Sequence, residues 1–138
     1  MSGETVLRTL LREMSPVLSE GELVFCSVPA DYEPPPGLDP MGQFVEEEGL
    51  TLIVSRERAE TAGLDTAYPC RRITLRVHSS LSAVGFLAEI TRRLAERGIS
   101  VNAISGYYHD HLFIPSGRAE EAVAALLEIV ASARATSD

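Results

Sequence analysis

The sequence predicts an α+β protein of two small modules with antiparallel sheets, and three features of residues 72–114 predict it. Ile73, Leu75 and Val77 alternate with Arg72, Thr74, Arg76 and His78, the period of a strand buried on one face. Val84, Leu87, Ala88, Thr91, Leu94 and Ala95 then recur at helical spacing, opposite Glu89, Arg92, Arg93, Glu96 and Arg97, so one stripe of a helix packs on that sheet. Residues 99–106 and 111–114 are rich in β-branched and aromatic side chains, and residues 107–110 between them are short enough to close a hairpin. Strand, helix, strand, strand is most of a split βαβ unit. Ser80 or Ser82 is placed to cap the helix, and Gly98 to end it in the left-handed conformation.

In chain order, Ser2 is placed to cap a first helix whose stripe is Leu7, Leu10, Leu11 and Met14, stopping before Pro16. Residues 22–28 read as a strand, apolar on both faces through Leu23, Val24, Phe25, Cys26 and Val28, which suits the middle of a covered sheet. Residues 29–42 carry Pro29, Pro34, Pro35, Pro36 and Pro40 and form a stiff surface loop, without the flanking basic residue of a proline docking motif. Phe44 and Val45 lead into Glu46, Glu47 and Glu48, then Gly49 at a bulge or tight turn, then a strand over 50–54. Ser55 opens a short helix through Ala59 and Ala62 that Gly63 stops. Tyr68 and Pro69 read as a linker, which divides the chain into modules 1–68 and 69–138. Ser116 caps a last helix with the stripe Ala119, Ala122, Val123, Leu126, Leu127 and Val130, and the tail from Ala131 frays. The halves repeat one small α/β unit. Each is a strand short of the full βαββαβ order, and either strand 70–78 or the stretch near Phe44 is available for sharing.

Composition narrows the class of function. With 138 residues, 45% hydrophobic and 23% charged, the chain is large enough for one compact domain or two small ones and is not disordered. It has no apolar run near the ~20 residues of a membrane span and no basic-then-apolar leader, so a cytoplasmic location is expected. Cys26 and Cys70 both fall in strands and read as buried thiols. The net charge is −8 and every basic residue is arginine, which argues against nucleic acid and anionic membranes as partners. Without lysine there is neither Schiff-base chemistry nor a phosphate-loop lysine. Nor does the sequence hold a nucleophile elbow, a glycine-rich phosphate loop or paired zinc cysteines; no enzyme activity and no cofactor are expected.

HSSLSAVGFLAEITRRLAERGISVNAISGYYHDHLFIP, together with EEEGLTLIV in the first half, resembles the ACT-domain superfamily, and within it small bacterial proteins with two tandem ACT-like modules. The resemblance implies two ferredoxin-like modules that bind a small molecule, usually an amino acid, between modules or between subunits of a homodimer. The tandem arrangement is similar to that of amino-acid-sensing ACT proteins, and ACT modules of aspartate kinases use the matching strand-to-helix turn. Carried onto this chain, that turn is His78, Ser79, Ser80, Leu81, Ser82, Val84 and Gly85, and the facing strand is Asn102, Ala103, Ile104 and Ser105. No kinase catalytic domain lies within these 138 residues, so the regulated partner is not identified.

The same residues have chemical merit of their own. The first amides of a helix are unpaired and carry partial positive charge that suits a carboxylate. Ser79, Ser80 and Ser82 add hydroxyls, Gly85 permits close approach, and Asn102 offers both a donor and an acceptor to a zwitterion. On spacing alone the plainer reading leads, with serines as caps and Gly85 as a packing position; the resemblance reverses that order. Glu47 and Glu48 are candidates for pairing with a cationic ligand side chain, by likeness to an arginine-sensing ACT protein, against the plainer reading of a solvated acidic turn.

Two alternatives stay open. His109 and His111 share one face of a strand and His78 lies on a neighbouring one, which admits a metal site or hydrolase, although Asp110 points to the other face. A ligand-free interaction module joined through a sheet edge is the other.

Overall fold

The computed structural model of the chain describes residues 3 and 5–136; the expected cap Ser2 lies outside the described residues. The elements are α1 (Leu7–Glu13), β1 (Ser15–Leu18), β2 (Leu23–Val28), β3 (Gly42–Glu46), β4 (Gly49–Ser55), α2 (Arg56–Thr61), β5 (Ala67–Arg76), α3 (Phe86–Glu96), β6 (Asn102–Ser105), β7 (Asp110–Pro115) and α4 (Ala119–Ala135). Contacts divide the chain into two compact units, one of residues 20–71 and a composite one that joins the segment up to Ser19 with the segment from Arg72 onward. The division expected from the sequence followed chain order. By contact, α1 and β1 belong with the later half.

In the 20–71 unit the strands lie in the order β3-β4-β2-β5. β2 is central as expected, pairing antiparallel with β4 from Leu23↔Ser55 to Val28↔Leu50 and with β5 at Leu23↔Cys70. That is the ferredoxin-like order with one substitution: no helix follows the first strand. Residues 29–41 take its place, and Leu38, 2% exposed, packs with Tyr32 against Val24, Cys26, Leu52 and Val54. Proline supplies no amide and ends helices, so this stretch covers the sheet as a loop. Gly49 turns β3 into β4 with its backbone against the Val28 carbonyl, where a Cβ has no room. Ser55 caps α2 as expected, accepting from the Arg58 amide at 3.4 Å.

Tyr68 and Pro69 are not a linker. They lie inside β5, where the register shifts between the pairs Leu23↔Cys70 and Phe25↔Ala67; Tyr68 takes φ 55° and sets its ring edge-on to Phe25 at 5.7 Å. A bulge tolerates the amide that proline lacks. Cys26 and Cys70 are free and buried, and burial, then Glu22, pushes the Cys70 thiol up to about 11.

In the composite unit the order is β1-β5-β7-β6. The missing fourth strand is therefore residues 15–18, which pair antiparallel with β5 from Ser15↔Arg76 to Leu18↔Ile73. β5, the expected strand 70–78, stands in both strand orders and is the shared strand, while the Phe44 stretch stays within β3. Four residues that include a proline give too short a pattern to read as a strand, and the ladder supplies what local preference does not. Over this sheet Phe86, Ile90 and Leu94 of α3 pack with Leu10 and Met14 of α1 and Ala122, Leu126 and Ile129 of α4.

Four helix details depart from expectation. Neither Ser80 nor Ser82 caps α3; Gly85, at φ 91°, stands there without a side-chain bond, so the helix begins at Phe86. Its inward stripe is accordingly Phe86, Ile90 and Leu94, with Val84, Ala88 and Ala95 exposed. Ser116 does not cap α4 either, because a single 3-10 turn over Ser116–Arg118 intervenes and Arg118 bonds Glu121 and the carbonyls of Arg97 and Gly98. α4 also continues past Ala131 to Ala135, its end tied by Arg12, which donates to the Ala133 and Thr136 carbonyls, and by Arg134, which donates to the Arg12 carbonyl. Among the described residues no helix is long and apolar enough to cross a membrane.

Candidate ligand-binding site

β5 hands over to α3 through residues 77–85, a turn folded largely by its own polar atoms. The Ser79 amide reaches the Val77 carbonyl at 2.8 Å, and Ser80 accepts from the Ser82 amide at its hydroxyl and from the Ala83 amide at its carbonyl, both at 3.0 Å. Gly85 adds no side-chain acceptor, and the first intrahelical bond runs from the Glu89 amide to the Gly85 carbonyl at 2.9 Å. The amides of Phe86, Leu87 and Ala88 thus have no intrahelical acceptor, and they sit at the positive end of an 11-residue helix.

The opposite wall comes from the β6–β7 hairpin. Its register runs from Asn102↔Phe113 to Ser105↔Asp110, and the Gly106 amide closes it on the His109 carbonyl at 2.9 Å. That register faces Asp110 with Ser105, whose hydroxyl donates to one carboxylate oxygen, while the Ser79 hydroxyl donates to the other at 3.4 Å. Ser79 and Asp110, each 7% exposed, are the buried polar residues among those described. Between the walls lies a hollow of about 170 Å³ lined by Ser79, Ser80, Phe86, Leu87, Ser105 and Asp110, with Leu81, Ala83 and Gly106 around them. A carboxylate has about four lone-pair sites. The two serines leave Asp110 able to accept further donors.

Of the residues expected to bind a ligand, Ser79, Ser80, Leu81 and Ser105 line this hollow. Ser82, Val84 and Gly85 belong to the same turn without lining it, and Val84 is 84% exposed. His78 lies against Tyr108 and Tyr107, at ring distances of 5.0 and 6.5 Å. Asn102, Ala103 and Ile104 stand exposed on β6 and contribute nothing to the walls. Glu47 and Glu48 form the exposed turn between β3 and β4 in the other unit.

Asp110 itself was readable only as a turn residue bonding backbone amides. The available signal was an acidic residue opening the apolar strand DHLFIP, opposite a serine once the hairpin register is set.

The three histidines part company. His109 Nδ1 lies 3.4 Å from the Val77 carbonyl and His111 Nδ1 lies 3.0 Å from the Thr74 hydroxyl. Burial, then the charges of Arg72 and His109, hold the His111 ring below the usual histidine range, with Asp110 opposing. Among the described residues no three His, Cys, Asp or Glu side chains gather as metal ligands, so the metal or hydrolase alternative finds no geometry here.

The 20–71 unit carries a wider groove of about 920 Å³ along residues 20–23 and 55–61. Its Arg56 is already paired with Glu22 at 2.6 Å and with Glu60 at 3.6 Å, and Ser55 occupies an amide of α2. Size favours that groove; unspent polar capacity favours the smaller hollow.

Models of the ACT domain match residues 2–71 and residues 68–128. A Vibrio cholerae protein of unknown function, a possible transport protein, is 45% identical, with 90% of this chain and 95% of that one covered at a TM-score of 0.81. An Agrobacterium tumefaciens protein is 16% identical, covering 85% and 89% at 0.71, and the ligand-free regulatory subunit of Thermus thermophilus aspartate kinase is 15% identical, covering 83% and 95% at 0.55. These two share the fold. No curated protein matches the chain. The tandem ACT matches, laid over two ferredoxin-like strand orders, show that the chain belongs to the ACT-domain family and carries two ACT domains in succession.

Proposed function

We propose that the chain is a noncatalytic cytoplasmic sensor of a free amino acid or a similar small zwitterion, held in the hollow between the start of α3 and Asp110. ACT domains are regulatory modules for small ligands. The observation that carries the finer reading is Asp110, a buried carboxylate on one wall of a hollow whose other wall begins a helix. An α-carboxylate fits the amides of Phe86, Leu87 and Ala88, and an α-ammonium fits Asp110, so one ligand satisfies both poles. About 170 Å³ is below the ~300–1,000 Å³ of drug-sized sites, which favours a small metabolite. Leu81 and Leu87 offer apolar contact to its side chain.

Signalling requires that the ligand bind one arrangement better than another. A homodimer through β6 supplies a second arrangement: this strand ends the strand order, all four residues are exposed, and Ile104 is 44% exposed. Light scattering with and without ligand measures it.

A thermal-shift screen of the twenty amino acids tests the site, since a ligand at 100 times its Kd adds ~2.7 kcal/mol. Asp110→Asn keeps the shape and removes the charge. Loss of a charge-assisted bond worth about 1.5–3 kcal/mol weakens binding roughly 10- to 150-fold. A flat screen, or an undiminished response in the variant, rejects the proposal.

A further inference from the structure

We infer that α1 is the output element of this site, its docking coupled to occupancy of the hollow. The identity of the ligand rests on the amino-acid reading above; the coupling rests on contacts that do not need it.

The turn that makes one wall of the hollow is touched by the N-terminal segment at both its ends. A Cβ on Gly3 would stand 2.5 Å from the His78 carbonyl oxygen and 2.7 Å from the Ser79 carbonyl carbon, so here backbone lies on backbone. At the far end, Leu7 Cδ2 is 3.7 Å from where a Cβ on Gly85 would project. Between them Ser79 must be held for its hydroxyl to reach Asp110, and Gly85 must be held for α3 to begin at Phe86, which lines the hollow. The segment that backs the turn therefore bears on both poles of the site.

α1 is also conditional on its surroundings. It has seven residues, no side-chain cap at Val6 and no acidic residue in its first turn. A helix that short is marginal in water and persists by packing. Leu10 and Met14 supply that packing, in one cluster with Phe86 and Ile90, and the reciprocal bonds of Arg12 and Arg134 tie its C-terminal end to α4. A helix that persists by packing opens when the surface it packs on is loosened. A ligand that fixes the turn favours docked α1, and by thermodynamic reciprocity docked α1 strengthens ligand binding to the same degree.

Hydrogen–deuterium exchange on the full chain tests this with Gly3→Val, which blocks the close approach, and Arg12→Ala, which acts on the α4 end of α1. Without ligand, both variants should exchange roughly fivefold faster over residues 79–87 as well as over α1, while β2 and β4 stay unchanged. With an amino acid identified by the screen, the wild type should slow its exchange in α1, and both variants should bind about tenfold more weakly. Should Gly3→Val fail to fold, Arg12→Ala carries the measurement. Wild-type exchange over residues 79–87 in the variants overturns the coupling whatever the screen finds, as does a bound ligand that leaves α1 exchange unaltered. Faster exchange over residues 79–87 beside a flat screen sustains the coupling and rejects the amino-acid reading instead.

Discussion

The two ACT domains share a strand order and differ at one corner. In the composite unit the first strand crosses over through α3, and the hairpin that follows pairs Ser105 with Asp110. In the 20–71 unit the crossover is the proline loop, and the matching hairpin pairs Glu46 with Gly49. Where one domain opens a hollow walled by a carboxylate, the other packs the Gly49 backbone on the Val28 carbonyl at the end of β2. A ferredoxin-like sheet alone therefore does not fix what stands at this corner: α3 brings a helix start to a hollow that Asp110 walls, and the proline loop brings no aligned amides to Gly49.

The largest effect expected from perturbing this contrast comes from what covers each sheet. Ile90→Ala, at a fully buried position on α3, should cost about 2–5 kcal/mol by chemical denaturation. Leu38→Ala should fall near the low end of that range, because a loop collapses onto a vacancy more readily than a helix. A Leu38 variant of wild-type stability would mean that the proline loop is no replacement for the helix.

Next come the left-handed glycines of the two crossovers, Gly85 at φ 91° and Gly37 at φ 88°. Alanine at either should cost about 1–2 kcal/mol. Ligand affinity separates them, falling in Gly85→Ala and holding in Gly37→Ala. Equal affinities would move the site off the α3 corner.

Smaller still is the effect of the cap on α2. Ser55→Ala removes the bond from the Arg58 amide and should cost about 1 kcal/mol in urea melts, and a variant of wild-type stability would mean that the cap contributes nothing.

The least effect is a pH dependence. His111 titrates below its ordinary value in the fold, so the unfolded chain binds more protons as pH drops below about 6.5, and stability falls with it. Wild type should lose more stability than His111→Gln between pH 7 and 5, and parallel curves would refute the shift.

Much of this architecture was legible beforehand. β2 as a central strand, the presence of α3 and α4, and the buried cysteines all follow from long hydrophobic patterns, although Val84, Ala88 and Ala95 of the expected α3 stripe face solvent. Single-residue punctuation was less legible. Ser80, Ser82 and Ser116 have the chemistry of caps, yet the helices begin elsewhere, and the Ser80 hydroxyl instead accepts from the Ser82 amide within its own turn. Tyr68 and Pro69 carry the marks of a linker and lie in a strand, since a bulge absorbs both a positive φ and a missing donor.

By itself, then, the sequence determined that the chain folds as two α/β units of one design and which turn approaches a helix start. Side-chain periodicity and glycine and proline chemistry act over a few neighbouring residues, and those can be read in order. Tertiary structure alone decided that residues 15–18 complete the later unit and that Asp110, with Ser79 and Ser105, walls the hollow. Both depend on pairings between residues far apart in the chain, or on a hairpin register, and neither leaves a local pattern in the amino acids that make it.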